Sequence, residues 1–592
     1  MPGWSCAWSG GDARGITSGF GPGEQAKGVI FCPHFYGVVY IAILVWGWIF
    51  MFDRLFATAL LKFHRSSGCF GIRLRACLAA LTATAFVGAT DADPFSAPVF
   101  DPVDIPHHVY DGGWEYYVGG GMAVFDCDQD HMPDMFAAGG ANKATLLRNV
   151  STRSGDIRFV ENTPPELSLD RIIGAYPLDI NSDGFMDLAI LRVGENKLLM
   201  GGVDCRFTPH SELLEKYEQG WSTAFSATWE EGNVLPTLAF GNYVDRTDPE
   251  GPFGTCDTNF LFRPEGSRYV APIVLEPGYC PLSMLFTDWG RRGQADLRVS
   301  NDRHYYLNDG EEQMWQMAEV PRLYQPEDGW QHHKLWGMGI ASRDITGDGL
   351  PEVYLTSMGD QRLQMLNKDT GGPSYRDATY GRGTTAHRPY TGGDGRPSTG
   401  WHVRFGDVQN DGLDDIFITK GNVQQMPGSA MDDPNNLLLQ AADGTFYEAG
   451  ENAGIASLLR GRGGAMADLN LDGLLDLAVV NRQGPLELYQ NVTQGAGNWL
   501  AVKLRQAPPN RDAIGAWIEV RLGDHVFARE LTVGGGHAGG QITAEHFGLG
   551  SAQSAHIRVI WPDHTVSDWR QVEAGKVVFL TRDATGLKVT AY

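Results

Sequence analysis

A nine-residue acidic loop recurs five times along the chain, each time followed by a short apolar run. Its first, third, fifth and ninth places carry oxygen donors: Asp126, Asp128, Asp130 and Asp134; Asp179, Asn181, Asp183 and Asp187; Asp344, Thr346, Asp348 and Glu352; Asp407, Gln409, Asp411 and Asp415; Asp468, Asn470, Asp472 and Asp476. Alternate places of a tightly curling loop turn inward, and a glycine at the sixth place permits the bend. The last carboxylate can close the shell bidentately, so the donor set suits a hard divalent cation, calcium (Ca2+), at up to five structural sites. In the first loop His131 replaces the turn glycine, and His is among the residues tolerated in the left-handed conformation that the place demands. No GxSxG, HExxH or Walker motif is present, and no catalytic residue is assigned.

The elements that position these loops follow from their spacing. Two worn copies lie between the second and third complete ones. The loop from Asp288 to Asp296 keeps both end carboxylates but has Arg292 at the fifth place, and that from Trp229 to Thr237 has lost its first and last ligands. With these, the loops begin at 126, 179, 229, 288, 344, 407 and 468, a period of 50 to 63 residues in seven units. Each unit leads in on a small or apolar strand (121–125, 283–286, 339–341, 402–405). After the loop comes a β-rich strand (188–191, 353–356, 416–419, 477–480), then a further one (196–200, 304–308, 362–366, 486–491). A β unit of this size fits one four-stranded blade, and a blade hides both faces only by stacking on neighbours. The expectation is all-β: a seven-bladed β-propeller over 93–492 with every acidic loop on one rim, then a small all-β C-terminal domain over 498–582.

Charge and targeting bound the partners. The formal net charge of −24 argues against nucleic acid, whose phosphates would be repelled. Residues 1–92 read as a leader. Arg73 and Arg75 precede an apolar stretch from Ala76 to Val87, with small residues for cleavage up to Ala92. Upstream, 35–52 is either a membrane anchor or the product of a start assigned too early, with translation beginning at Met51; a membrane anchor is available only there. The chain is therefore expected to be exported: periplasmic, on the outer surface or secreted. Cys127, Cys205, Cys256 and Cys280 follow the leader. They permit three disulfide connectivities, with Cys256 and Cys280 nearest in sequence, or four separately buried thiols.

After the linker 493–497 the texture changes to alternating strands such as 501–504, 517–521 and 557–561. Gly534 to Gly539 satisfies GxGxxG, yet no helix pattern follows to receive a pyrophosphate. The glycines are read as allowing close approach of backbones or leaving room for a ligand. His107-His108 and His332-His333 are adjacent pairs, whose side chains point to opposite faces of a strand and do not chelate one ion.

With Phe405-Gly-Asp407 and Phe240-Gly-Asn-Tyr243 at their edges, the loops resemble the FG-GAP/VCBS repeat of integrin alpha-chain propellers and bacterial surface proteins. The segments 498–502, 510–516, 534–541, 546–550 and 559–563 resemble the ASPIC/UnbV domain. The combination is similar to the cartilage acidic protein family and its bacterial relatives, over about residues 110–582. This resemblance implies a calcium-stiffened platform for binding, adhesion or scaffolding, with a protein or glycan partner outside the cytoplasm. Two further readings are an extracytoplasmic enzyme, a polysaccharide lyase or hydrolase with its site at the propeller mouth, and an accessory role in a biosynthetic or redox assembly.

Overall fold

The computed structural model describes residues 96–210, 220–248, 254–302, 310–584 and 586–592. The leader, and the strand expected at 304–308, lie outside the described residues. Among the described residues, no helix is long and apolar enough to cross a membrane.

The protein is all-β. Among the described residues from Phe100 to Asn491, seven sheets of four antiparallel strands are each begun by a strand that runs into one acidic turn; the first gains Gln541–Ile542 as a parallel fifth strand, and Pro264–Glu265 pairs with Arg268–Tyr269 as a small separate hairpin. The sixth shows the scheme: Gly400–Gly406 meets the turn, Asp415–Lys420 returns beside it, and Asn436–Gln440 and Phe446–Glu448 follow. The leading strands of the first five sheets are Met122–Phe125, Ile172–Leu178, Ser222–Thr228, Pro281–Thr287 and Gly337–Arg343; that of the seventh is Arg460–Ala467. The fourth sheet departs from the sequence expectation, since its third strand is Gln313–Gln316. The seventh sheet draws its outermost strand from the other end of the chain: Phe100–Pro102 pairs antiparallel with Glu487–Asn491.

Leading strands are buried on both faces because successive sheets pack against one another. Ile172–Leu178 and Pro281–Thr287 are buried throughout. Leu261 and Leu275 of the third sheet share a core with Phe286, Leu297 and Trp315 of the fourth, and Tyr354 of the fifth joins Phe405 and Ile418 of the sixth. Aromatic rings thus fill the spaces between sheets, where their large apolar area contributes most. Neighbouring sheets also bond directly at or beside their leading strands: Gly121 N to Ile173 O at 3.0 Å, Thr419 Oγ1 of the sixth sheet's second strand to Arg462 O, and, from the seventh sheet to the first, Gly463 N to Gly120 O at 3.1 Å. Disulfides join Cys127 to Cys205 and Cys256 to Cys280. The first links the turn of the first sheet to the outer part of the second.

The C-terminal strands form two sheets around their own core, which includes Leu500, Val502, Ile518, Phe547, Ile557 and Leu580. Asn498–Arg505 lies between Glu545–Gly550 and Lys576–Asp583, with Gly586–Ala591 at the edge. Trp517–Leu522 lies between His525–Glu530 and Ser554–Ile560, with Arg570–Glu573 beyond.

Between these two sheets the chain leaves the module and runs through the middle of the leading strands. Val533 O accepts from Ala227 N, Gly535 N donates to Met284 O, and Gly536 exchanges both backbone bonds with Ile340. His537 N donates to His402 Nδ1, Gly540 O accepts from Val124 N, and the Gln541 side chain bonds both N and O of Met466. Gly539 bridges Ala175. Residues 533–541 therefore touch the leading strand of every one of the seven sheets. Of the two readings of the glycines, close approach of backbones is the one observed. At Gly174 a Cβ would lie 1.6 Å from the Ala538 carbonyl oxygen, and at Gly121 1.8 Å.

Gly174→Ala is accordingly expected to destabilise the protein by at least about 2 kcal/mol in denaturant unfolding. Gly381→Ala, with nothing within 4 Å of the added atom, should change stability by no more than ~0.5 kcal/mol.

Candidate metal loops beneath the C-terminal domain

Each acidic turn is built by its own carboxylates before any ion is considered. The first-place aspartate folds back on the loop. Asp179, Asp288, Asp344, Asp407 and Asp468 each accept the fifth-place N–H at 2.7 to 3.1 Å and the sixth-place N–H at 2.7 to 2.9 Å. In the first loop His131 N reaches Asp126 Oδ2 at 3.0 Å. His131 has φ 75°, as its place requires, and its ring packs on Tyr592 and Phe579.

The ninth-place acid is a clamp between strands. One oxygen of Asp134, Asp187, Asp415 and Asp476 accepts the second-place N–H at 2.7 to 3.0 Å. The other accepts an N–H from the third strand: Asn149, Gly201, Gln440 or Asn491. In the third complete loop, Glu352 takes Ile345 N and Thr346 Oγ1. A carboxylate oxygen has two lone pairs, so one on each oxygen remains for an ion. The worn Asp288 loop keeps half of this clamp: Asp296 Oδ1 accepts from Met317 N, whereas Oδ2 takes the side chains of Trp289 (Nε1) and Tyr324 (Oη) in place of the second-place N–H, and Arg292 lies over the Trp289 ring.

The third and fifth places decide whether an ion fits. Carboxylate oxygens of Asp126, Asp128 and Asp130 lie within 4.8 Å of one another, and Asp126 Oδ1 is buried with no protein partner. Arg148 pairs with Asp128 Oδ2 of this group. In the loops at 179, 407 and 468 the third-place amide donates to the fifth-place carboxylate: Asn181 to Asp183, Gln409 to Asp411 and Asn470 to Asp472, at 2.6 to 3.1 Å. Lys368 Nζ lies 2.5 Å from Asp348 in the fifth sheet's loop. Burial pushes Asp134, Asp179 and Asp468 up to about 7 and Asp187 and Glu352 to about 8. It also holds Asp407, Asp415 and Asp476 well above the usual carboxylate range, with neighbouring acids adding to the effect. A divalent cation favours the charged form of such acids, so these oxygen-only donor sets fit Ca2+. Cys127, Asp134 and Cys205 also converge, but both thiols are committed to a disulfide. The histidine pairs are structural: His108 bonds Thr145 and Ala138, and His333 bonds Gln364.

Sequence reasoning missed the fourth place. Gln129, Ser182, Arg291, Gly347, Asn410 and Leu471 all have φ between 48° and 70°, a left-handed conformation that costs a non-glycine residue about 1–2 kcal/mol. It points this residue at the C-terminal strands. Ser182 Oγ accepts from Asn510 N at 2.9 Å, and Asn410 Oδ1 meets His546 Nε2 at 2.7 Å. Arg291 pairs with Glu519 and lies over Trp517, and Leu471 packs with Ala501 and Val577. Gly473 sits so close to Trp499 that a Cβ would lie 1.8 Å from the indole nitrogen. The C-terminal strands therefore rest on the rim that carries the acidic loops.

Residues 506–586 match the family model described as ASPIC and UnbV. The C-terminal module is an ASPIC/UnbV domain. Over 485 residues, 75% of this chain and 70% of the relative, the sequence is 26% identical to cartilage acidic protein 1 of Mus musculus. It is 26% identical to the Homo sapiens protein of that name over 496 residues, 77% of this chain and 70% of the relative. Among solved structures the chain is similar to BBS1N in complex with ARL6DN, at TM-score 0.39 and 9% identity over 67% of this chain and 98% of that one. It is also similar to the Dos1 propeller, at TM-score 0.21 and 9% identity over 63% and 66%.

The clamp can be separated from metal binding in the loop that lacks a fifth-place ligand. Asp296→Asn should lower stability by about 2–3 kcal/mol, because an amide cannot accept at both ends. The loss measured by calorimetry should be equal in EDTA and in calcium, and the ASPIC/UnbV domain should stay docked. A silent substitution would show that ninth-place acids have no clamping role.

Proposed function

We propose that the chain is an exported, calcium-stiffened binding and scaffold protein. In this reading the seven sheets are the blades of one closed propeller. The Phe100–Pro102 strand fastens its last blade, and the contact between Gly463 and Gly120 joins that blade to the first. Calcium held by the acidic loops, up to five ions, rigidifies the rim on which the ASPIC/UnbV domain rests. Asp126 Oδ1, an orphaned buried oxygen beside two further carboxylates, carries the metal reading. Bound calcium would supply positive charge to buried acids that otherwise repel one another. The ninth-place acids would then hold two strands and an ion together.

Two disulfides suit an oxidising compartment outside the cytoplasm, as does the likeness to a protein named for cartilage. A partner, protein or glycan, is left the rim opposite the domain and the outer edges of the sheets. Trp114, stacked edge-on against buried Trp221 near the start of a leading strand and itself 45% exposed, is one such contact point. The binding reading is preferred over catalysis within the channel because residues 533–541 fill it.

Differential scanning calorimetry tests the metal claim. Extracellular calcium modules bind at about 0.1–1 mM, and a ligand at ten times its Kd stabilises by about 1.4 kcal/mol per site. EDTA should therefore lower the melting temperature by several degrees, and added calcium should restore it. Asp411→Ala should remove one ion from the stoichiometry found by titration. An unchanged melt together with no calcium uptake would refute the reading.

A further inference from the structure

Beside the glycine segment, where it meets the ASPIC/UnbV strands, lies a cavity of about 420 Å³, a volume suited to a small metabolite. One wall is made by Gly534–Gly536 and the ends of leading strands, including Ile340 and Val403; the other is made by 502–505 and 541–543 of the C-terminal module. Gln129 and Arg505, both exposed, stand in its lining and mark where it reaches solvent.

The charges lining this space do not cancel. Of the acids, Glu545 pairs with Arg343 at 3.5 Å, and Glu530 uses its two oxygens on Thr287 Oγ1 and Asp288 N. Asp126 belongs to the first acidic loop. Against these acids and Asp512 stand five cations, Arg343, Arg404, Lys503, Arg505 and Arg511; Asp126 and Asp512 are the lining acids that attract Lys503, and Glu545 attracts Arg404. Arg505 lies over Phe579, Arg511 rests against Gly184, and Arg404 and Lys503 make no hydrogen bond or ion pair with the protein. Arg404 is half-buried in the cavity lining, and burial lowers its guanidinium to about 10, with Glu545 opposing the shift. Lys503 is likewise lowered by burial. A buried cation with no partner is strongly disfavoured unless something of opposite charge completes the site.

We infer that this cavity binds a small oxyanion, a carboxylate or phosphate no larger than a sugar phosphate, held by Arg404 and Lys503 at the junction of propeller-like body and ASPIC/UnbV domain. Neither cation belongs to an acidic loop, but Asp126 and Asp130 of the first loop attract Lys503, so a bound calcium ion would leave that cation with less compensation and favour the oxyanion further. Both cations come from separate layers, Arg404 from the sixth leading strand and Lys503 from the first strand of the domain. The bound anion would sit between two like charges contributed by the two layers and offset their repulsion.

Succinate and glucose 6-phosphate, as carboxylate and phosphate probes, separate the two sources. Each is titrated calorimetrically into the full chain at fixed calcium and constant ionic strength, and again in EDTA. At least one should bind with unit stoichiometry, and Arg404→Met and Lys503→Met should each weaken it tenfold or more. Lys588→Met, a change on an exposed strand, should not. Because removal of a buried charge can alter folding, acetylation of Lys503 in the unmodified protein provides a second readout. The bound probe should slow it at least fivefold relative to Lys588. Failure of both probes to bind, or binding undiminished in both variants with Lys503 acetylated at its free rate, would overturn the inference.

Discussion

The carbonyl oxygen of Ala538 occupies the space where side chains at 121 and 174 would begin, and the architecture depends on that approach. The leading strands of the seven sheets present backbone groups on the side where the segment 533–541 runs. Water could satisfy those groups, but a second chain of backbone does so with fixed geometry. The segment 533–541 supplies it, and it can come so close because both sides are glycine-rich there. His537 completes the arrangement. Its ring accepts from Gly119 N, its Nδ1 meets Met338 O, and burial holds its pKa at about 3, so it stays neutral among the strands. Sheets and domain are thereby one compact unit.

The acidic loops serve that unit twice. Their first and ninth carboxylates are spent on backbone N–H groups, which fixes the turn and ties the first three strands of a sheet together. The Asp288 loop retains the first-place wiring although Arg292 fills its fifth place, and its ninth acid keeps the bond to Met317 N while taking Trp289 Nε1 and Tyr324 Oη on its other oxygen. Loop shape therefore belongs to the backbone, and an ion adds charge balance to a form already made. The fourth residue, forced into the left-handed region, becomes the contact for the domain above. A single nine-residue turn thus closes a sheet, gathers oxygen donors and presents a docking point.

Much of this was legible in the residues. The strand following each loop was expected at 416–419 and 353–356 and found at Asp415–Lys420 and Glu352–Ser357, because alternating β-branched and aromatic residues bounded by Asp and Gly leave few other options. The fourth sheet takes Gln313–Gln316 as its third strand, packing Trp315 against the third sheet, and the strand expected at 304–308 lies outside the described residues. The ninth-place clamp was invisible, since a carboxylate that ligates and one that accepts N–H bonds look alike in sequence. The destination of Gly534–Gly540 could not be read because its partners lie between about 75 and 420 residues away. Left-handed Leu471 and Arg291 carried no signal either, their conformation being imposed by the turn and repaid by contacts with the domain.

Hydrogen exchange followed by mass spectrometry tests the central feature most directly. If residues 533–541 run through the leading strands and bond them, the amides of Gly535, Gly536 and His537 should exchange only with global unfolding, as slowly as those of Ile340 and Val124. Exchange of that glycine-rich peptide at the rate of an exposed loop, while the leading strands stay protected, would contradict the account.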